Sequence, residues 1–252
     1  MKSQRPSCYR NICRAYPGRF IGIIIPGFLT NRSKSILLLL LKSLNLPEYF
    51  FKLTTQQAAF MVLPIVAYGN PVLRKLGKMI SPEYPGLAKL IEDMWETMYN
   101  SRGVGLAAPQ INADIRLFVM DSIQIIENFE EDEKKDYPGD EGFKGVFINA
   151  KINSINGNDW LYNEGCLSIP KIREDILRKE EINISYQDEN FISHTSTFNG
   201  VTARVILHEY DHIEGKLFID YLKPLKKSLL KRKLSDITKG KVSVDYRMSF
   251  GK

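Results

Sequence analysis

The chain has 252 residues, 44% of them apolar, which is enough to bury a substantial hydrophobic core. Its net charge of +6 is concentrated at one end, because residues 1–47 contain eight Lys or Arg and no acidic residue. The whole chain has 35 Lys or Arg, so the remaining residues have 27 basic side chains against 29 acidic ones. The overall basicity therefore gives no support to DNA binding by the body of the protein.

Residues 1–59 have the composition of an N-terminal targeting leader. Basic residues precede one apolar run at 20–28, and a second run at 36–41 follows Arg32 and Lys34. Secretory signals contain an apolar stretch of about 7–15 residues, and transit peptides are basic and poor in acid. Neither run approaches the ~20 residues that span a bilayer, so we expect no stable transmembrane segment in the mature form. We predict a leader that is removed or disordered; a membrane-associated hairpin is the alternative.

The body of the protein, predicted at residues 60–252, has the pattern of one mixed α+β domain. Apolar residues at helical spacing predict an amphipathic helix over 87–98, after a short turn or helix at 73–80. A glycine-rich loop is predicted to follow this helix, at 102–110. Four segments are predicted as strands, at 116–120, 146–152, 182–186 and 195–197.

Two segments of the body differ from the rest in composition. Residues 127–145 are charged and nearly free of aliphatic side chains, so we predict an exposed, mobile insertion. The basic C-terminal segment, 223–252, carries its positive charges on a predicted helix: Lys226, Lys227, Lys231, Arg232 and Lys233. A solvated helix face is the simpler interpretation, and docking to ribosomal RNA is the alternative.

The strongest indication of function is the motif H-E-Y-D-H at residues 208–212, within a helix predicted over 201–213. Residues four apart lie on one face of a helix, so both imidazoles can reach one divalent cation and Glu209 can reach a water molecule beside it. Two of the three histidines in the chain lie in this motif, which argues against a chance pairing of core histidines.

A catalytic metal ion needs three protein ligands and one open position. In one large group of metallopeptidases the third ligand is a histidine six residues after the pair, but Phe218 occupies that position here. His194 remains a candidate. Cys166 is the stronger one, because a thiolate binds Zn²⁺ or Fe²⁺ well. With Cys8 and Cys13 in the leader, the body has no second cysteine to close a structural four-ligand site or an internal disulfide.

Two further motifs accompany the histidine pair. Cys166 lies in E-G-C-L-S-I-P, residues 164–170, and the predicted glycine-rich loop contains G-V-G-L-A-A-P-Q, residues 103–110. The G-x-G-x-x-A spacing resembles a dinucleotide-binding fingerprint, but that fingerprint follows a strand and opens a helix, whereas here a helix precedes and a strand follows. We therefore interpret the segment as a rigid loop whose backbone approaches a substrate and whose Gln110 amide offers a hydrogen bond.

The three motifs, in this order, resemble the signature set of peptide deformylases. The similarity extends over residues 67–221 and includes Arg178 and the run at 215–218. It implies an α+β, peptide-deformylase-like fold in which the metal-binding helix is surrounded by small mixed or antiparallel β-sheets. It also implies a hydrolase of protein biosynthesis that removes the N-formyl group from the formylmethionine of nascent polypeptides. The leader and the insertion depart from the family pattern, although neither interrupts a motif.

The resemblance also implies the roles of individual residues. The expected ligands of one divalent cation per chain are Cys166, His208 and His212, with Fe²⁺ as the expected metal and Zn²⁺, Ni²⁺ or Co²⁺ as substitutes. The expected catalytic groups are the Glu209 carboxylate, the Gln110 amide and the Leu167 backbone N–H. The residues expected to bind substrate are Val104, Gly105, Glu164, Gly165, Arg173 and Val205.

Formylated initiation implies an organelle with bacterial-type translation. With the leader, this predicts a plastid (apicoplast-like) in preference to a mitochondrion, and an organellar ribosome as a partner of the basic C-terminal segment. The residues alone are also compatible with other classes. Cys166 could be the nucleophile of a thiol hydrolase with a histidine base, or the cluster could belong to a non-catalytic metal-binding module. A general metallopeptidase is a closer rival.

Overall fold

A computed structural model of the chain describes residues 61–251, and the predictions for residues 1–59 lie outside this range. Five consecutive strands form one antiparallel sheet, in the order β2 (Gly105–Ala107), β3 (Leu117–Asp121), β4 (Lys144–Cys166), β5 (Ile169–Gln187) and β6 (Ser193–Asn199). A separate two-stranded parallel sheet joins β1 (Ile65–Val66) to β7 (Met248–Ser249).

The helices are α1 (Leu87–Asn100), α2 (Ile123–Ile126), α3 (Glu131–Lys134), α4 (Gly200–Ile213) and α5 (Pro224–Thr238). Short 3-10 helices cover Pro71–Arg74, Ala108–Ile111 and Phe218–Tyr221. The helices predicted over 87–98 and 201–213 are confirmed as α1 and α4. None of the helices within residues 61–251 has the length and apolarity needed to cross a membrane.

Helix α4 lies at the centre of the molecule and packs against β2, β3, β5 and β6. Eleven of its 14 residues are buried, and its apolar side chains pack in one cluster with side chains of the sheet, including Phe118 and Phe147. A second apolar cluster lies beneath α1 and a third beneath α5. Because each buried aliphatic or aromatic side chain contributes about 1.5–3 kcal/mol, the first of these clusters, which contains six apolar residues of α4, anchors this helix to the sheet. The expected α+β fold, with the histidine helix enclosed by sheets, is confirmed.

Three of the four predicted strands were predicted too short, whereas the strand predicted at 116–120 corresponds to β3. The segments at 146–152 and 182–186 are parts of β4 and β5, a hairpin of 23 and 19 residues whose outer part is exposed. An exposed hairpin needs no apolar alternation, so the polar run 153–159 gave no strand signal. The prediction of a loop over 102–110 was also wrong in part, because residues 105–107 form β2.

The insertion (residues 127–145) is exposed around α3, as predicted, but two of its aromatic residues attach it to the core. Phe129 and Tyr137 stack with ring centroids 5.4 Å apart and pack against the α4 cluster. Asp140 accepts hydrogen bonds from the backbone N–H and the hydroxyl of Thr202, in the first turn of α4, at 2.9 and 2.5 Å. The insertion therefore caps the N-terminus of the histidine helix. Its mobility stays a prediction.

The basic C-terminal segment was predicted as a helix, and α5 accounts for only its first half. The helix ends at Thr238, and the chain then continues through an extended stretch to β7. Leu230, Leu234 and Ile237 bury one face of α5, so this helix is part of the fold and is basic only on its outer side.

Candidate active site

The structure brings Cys166, His208 and His212 together. The potential ligand atoms of the three residues all lie within 4.8 Å of one another, and Cys166 Sγ is 3.3 Å from His212 Nε2. His194 does not join this group, because it lies on β6 with its Nε2 2.9 Å from Asp188. Of the two candidates for a third ligand, the geometry therefore selects Cys166.

Local structure explains why these side chains converge. The two histidines are one turn apart on α4, and their rings meet edge to face with centroids 5.1 Å apart. Cys166 is the last residue of β4, where residues 167–168 turn the chain into β5. The sheet holds this turn (the hairpin turn) against α4, so the thiol is presented to both rings.

Glu164 fixes the orientation of His208. Its Oε2 is 3.0 Å from His208 Nδ1, which leaves Nε2 of that ring for a cation. Glu164 also accepts hydrogen bonds from Arg178 at 2.7 and 3.0 Å and from Arg204 at 3.0 Å. Burial alone would raise the pKa of Glu164, but the hydrogen bonds from His208 and Arg178 hold it well below its usual value.

The prediction that Glu164 binds substrate therefore needs correction. The residue lines the cleft but is only 4% exposed, and both of its oxygens are occupied by His208, Arg178 and Arg204. With both oxygens occupied, the Glu164 carboxylate orients the His208 ring. We assign it that role instead.

A buried ionic network surrounds this carboxylate. Arg178 donates to Asp211 at 2.7 Å, and the Tyr221 hydroxyl donates to the other oxygen of Asp211 at 2.9 Å. The Arg204 guanidinium lies over the ring of Trp160, 4.4 Å from its centroid. With Glu164, the network contains two arginines and two carboxylates, so its charges balance and each is hydrogen-bonded, as buried charges require.

Glu209 is buried beside the ligands. It is 4% exposed, and its Oε2 has no hydrogen-bond partner within residues 61–251. Burial raises the pKa of Glu209 to about 7. Gly105 makes room for this side chain, because a Cβ at position 105 would lie 2.7 Å from Glu209 Cδ. Steric contact with Glu209 thus explains why the second position of the G-x-G motif is a glycine, which the sequence alone did not indicate.

Gln110 is held in a fixed orientation next to the thiol. Its Oε1 accepts a hydrogen bond from the Ala107 backbone N–H at 2.8 Å, which directs Nε2 toward Cys166 Sγ and Ser168 Oγ, both at 3.5 Å. The amide therefore presents a donor at the edge of the cluster. The predicted role of this side chain as a hydrogen-bond donor is compatible with this geometry.

Cys166, His208, Glu209 and Gln110 line one cleft of about 780 Å³. It is lined by every residue predicted for catalysis or substrate binding: Val104, Gly105, Gln110, Glu164, Gly165, Leu167, Arg173, Val205 and Glu209. His212 lies beneath the floor, 1% exposed. Sequence reasoning missed several further lining residues: Arg102, Tyr162, Asn163, Arg204 and the stretch 243–246. Only Arg204 offered a signal, as the one arginine among the apolar residues that begin α4.

The donor set fits a divalent transition-metal ion. One sulfur and two imidazole nitrogens are ligands that Zn²⁺ and Fe²⁺ accept. His208 and Glu209 line the cleft, so the cluster can be reached from it. Burial, together with the nearby charge of His208, lowers the pKa of His212 well below its usual value, which favours the neutral ring that a ligand must be. Burial also opposes a charge on His208, but its hydrogen bonds with Cys166 and Glu164 raise its pKa well above the usual value. A proton and a metal cation therefore compete for the His208 ring.

Comparisons with known proteins agree on one family. The family model "Polypeptide deformylase" matches residues 62–228. The chain is 54% identical over 195 residues to a peptide deformylase of Flavobacterium johnsoniae, an alignment that covers 75% of this chain and 96% of the relative. It is 46% identical over 190 residues to one of Cytophaga hutchinsonii, covering 75% and 98%.

Solved structures give the same result. The fold resembles a peptide deformylase from Legionella pneumophila with a TM-score of 0.60 and 34% identity, over 72% of this chain and 98% of that one. It resembles the peptide deformylase of Plasmodium falciparum with a TM-score of 0.59 and 31% identity, over 70% and 95%.

Proposed function

Because this chain belongs to the peptide deformylase family, we propose that the Cys166, His208 and His212 cluster is the metal centre at which it removes the formyl group from the N-terminal methionine of new polypeptides. The observation that carries this assignment is the convergence of the three ligand atoms within 4.8 Å at the floor of the cleft. We propose Fe²⁺ as the working metal, with Zn²⁺, Ni²⁺ or Co²⁺ as substitutes, since mixed thiolate and imidazole ligands accept each of them.

The cation contributes charge, and the protein contributes the proton transfers. When bound, a divalent cation polarises the formyl carbonyl and makes a neighbouring water molecule reactive at neutral pH. Glu209 would accept a proton from that water as the water oxygen bonds to the formyl carbon, and would pass the proton to the amine nitrogen as the C–N bond breaks and formate is released. A group whose pKa lies near neutrality can do both, and burial raises the pKa of Glu209 to about 7.

Two hydrogen-bond donors face the position where negative charge develops on the formyl oxygen. The first is the Gln110 amide, which its bond to Ala107 orients before substrate arrives. The second is the Leu167 backbone N–H, for which no acceptor is found within residues 61–251. Donors that are fixed in advance stabilise a transition state without a cost of reorganisation.

Selection of the formyl group follows from the narrow wall around this position. Val104, Gly105 and Leu167 line the cleft there, and the Leu167 side chain is close enough that a Cβ at Gly103 would lie 2.9 Å from its Cδ1. Formyl is the smallest acyl group, so larger ones would overlap with this wall. The methionine side chain would pack against Val205 on α4, and Arg173 at the rim would contact the following residues.

The test is an assay of the anaerobically purified, metal-loaded full chain with a formyl-methionyl peptide and its unformylated counterpart. We expect release of formate from the first only, whereas a general metallopeptidase would cleave both internally. Stripping the metal with a chelator should abolish the reaction; a thiol hydrolase using Cys166 would be unaffected. Metal analysis of the same preparation identifies the bound ion.

The substitution Gln110→Ala tests the donor at the formyl oxygen. We expect the variant to retain its metal and lose about 10²–10³-fold in kcat, the ~2.7–4 kcal/mol typical of one such donor. Gln187→Ala is the matched control, because that side chain accepts from Asn149 outside the cleft and its loss should leave turnover unchanged. Unchanged turnover in metal-loaded Gln110→Ala would remove the proposed role.

We further propose that residues 1–59 are a leader to an organelle with bacterial-type translation, a plastid in preference to a mitochondrion, and that residues 60–252 form the catalytic domain. Two observations support this division: the family match begins at residue 62, and three quarters of this chain cover 96% of a bacterial relative. A fluorescent protein fused after residue 59 should enter the plastid; retention in the cytosol would contradict the proposal.

The outer face of α5 supports the proposal of a ribosomal partner. Lys231, Arg232 and Lys233 are exposed, whereas Leu230 and Leu234 on the other side of the helix are buried. Within residues 61–251 these three side chains form no ion pair with a carboxylate, which suits them to the phosphates of RNA. Docking there would place the cleft near emerging chains.

A further inference from the structure

The extended stretch that follows α5 forms one wall of the cleft. Four consecutive residues line it: Ser243, Val244, Asp245 and Tyr246. They lie outside residues 62–228, which match the family model. The family motifs therefore assign this stretch no role, although it reaches the substrate position.

Contacts on both sides of Tyr246 fix the stretch in place. Asp245 forms an ion pair with Arg102 at 3.1 Å, and Arg247 donates to the Val62 carbonyl at 2.7 Å. Just beyond, β7 pairs with β1. The ring of Tyr246 packs with Leu167 against the apolar cluster beneath α1. The Tyr246 side chain is thus held mainly by the backbone pairing beside it and by its apolar contacts, since the exposed Arg102–Asp245 pair contributes little.

The hydroxyl of Tyr246 donates a hydrogen bond to the backbone carbonyl of Leu167 at 2.7 Å. The next carbonyl of the hairpin turn, that of Ser168, accepts from the Tyr68 backbone N–H at 2.8 Å. Two successive carbonyls of this turn are therefore held from outside the sheet. On the preceding side, Cys166 is paired with Ile169 across the hairpin, and its Sγ lies 3.3 Å from His212 Nε2. Little freedom remains for the peptide group between Cys166 and Leu167.

We propose that Tyr246 is a positioning residue for deformylation: by holding the Leu167 carbonyl it restricts rotation about the backbone bonds of Leu167, and so limits the direction in which the N–H of the preceding peptide group points toward the formyl oxygen. The proposal rests on the proposed function, since it requires that N–H to face the substrate. A donor stabilises the transition state only when it lies where the charge develops, and a small displacement reduces the rate.

The substitution Tyr246→Phe tests this role, because it keeps the ring and its packing and removes one hydroxyl. We expect kcat on a formyl-methionyl peptide to fall about tenfold, equivalent to ~1.4 kcal/mol. KM, metal content and the thermal midpoint should not change. A fall in kcat and kcat/KM by the same factor indicates an interaction made in the transition state.

Tyr99→Phe is the matched control. It also removes one hydroxyl and one hydrogen bond, here to Asp121 at 2.5 Å, but Tyr99 does not line the cleft. Its kcat should equal that of the wild type.

Wild-type kcat in Tyr246→Phe would overturn the proposal. So would a raised KM or loss of metal with kcat unchanged, because either result would show that the hydroxyl serves only folding or binding. Failure of the proposed function has a different signature: the metal-loaded wild type would release no formate, or Gln110→Ala would keep full turnover.

Discussion

At the scale of single residues, the candidate site depends on side chains whose neighbours leave them few alternatives. Glu209 has Gly105 opposite its carboxylate, Gln110 has Ala107 behind its amide oxygen, and His208 has Glu164 behind its Nδ1. Each chemical group is thus oriented by a second residue from another element. Catalytic groups that are fixed in this way avoid a cost of ordering during the reaction.

The substitution Gly105→Ala tests whether catalysis depends on the position of Glu209 while metal binding is unaffected. The added methyl would lie 2.7 Å from Glu209 Cδ, so the carboxylate must move. We expect metal content to stay unchanged and kcat to fall at least about tenfold, since a misplaced catalytic group can cost 10²-fold. Steady-state kinetics with metal analysis measures both quantities.

Gly251→Ala serves as its control, because a Cβ at that position meets no atom within 4 Å. If Gly105→Ala turned over at the wild-type rate, Glu209 would not need the position that it has in the structure.

The sequence predicted the residues that do the chemistry better than those that hold them. Cys166, His208 and His212 belong to short motifs, so spacing and ligand chemistry indicated them directly. Tyr246 and the Trp160 ring beneath Arg204 are joined to the site only by contacts between distant parts of the chain. No periodicity predicts such contacts. Glu164 lay within a motif, but its bonds to Arg178 and Arg204 depend on how β4, β5 and α4 pack.

At the scale of elements, α4 carries both histidines, and its N-terminus is capped by a residue that is distant in sequence. Asn199, at the N-cap position, makes no side-chain capping bond. The carboxylate of Asp140 accepts from the Thr202 N–H instead, and it also places negative charge at the positive end of the helix dipole. The insertion that the family motifs did not explain is therefore part of the support for the histidine helix.

Asp140→Ala should lower the free energy of unfolding by about 1 kcal/mol, the typical contribution of a helix cap. Urea denaturation followed by circular dichroism measures this change. Glu131→Ala is the control within the same insertion, because Glu131 is exposed and pairs only with Lys134, a type of pair that contributes little. Equal stability of the two variants would show that the cap makes no net contribution.

Elements with an apolar stripe were predicted well, and exposed elements were not. Helix α1 buries one stripe of residues, which produces the 3.6-residue period, whereas α4 is buried on nearly all sides and was indicated by the spacing of its histidines and by Gly215 after its end. The outer part of the β4–β5 hairpin is held by cross-strand backbone pairing from Asp159 opposite Lys179 to Asn163 opposite Asp175. Backbone hydrogen bonds are independent of side-chain identity, so they leave little trace in a hydrophobic pattern.

At the scale of the whole molecule, the outer face of α5 presents a group of exposed positive charges: Lys231, Arg232 and Lys233. If this face docks on ribosomal RNA, Lys231→Gln combined with Lys233→Gln should weaken co-sedimentation with ribosomes and make the remaining binding less sensitive to salt. Peptide turnover in solution should not change, because neither residue lines the cleft.

The matched control is Lys75→Gln with Lys151→Gln, which removes the same charge from exposed positions elsewhere. Equal sedimentation of both double variants would count against docking by α5. Deleting α5 and the residues after it would be a poor test, since that would also remove Tyr246 and β7.

The pairing of β1 with β7 has a consequence for how the protein folds during its synthesis. Synthesis proceeds from the N-terminus, so Ile65 and Tyr68 emerge long before Met248 and Tyr246 exist. Until then β1 has no strand beside it, and the Leu167 carbonyl lacks its donor. A ribosome-attached precursor that already contains all three signature motifs would still lack a finished catalytic pocket, and the enzyme would gain full competence only after residues 246–249 have been synthesised.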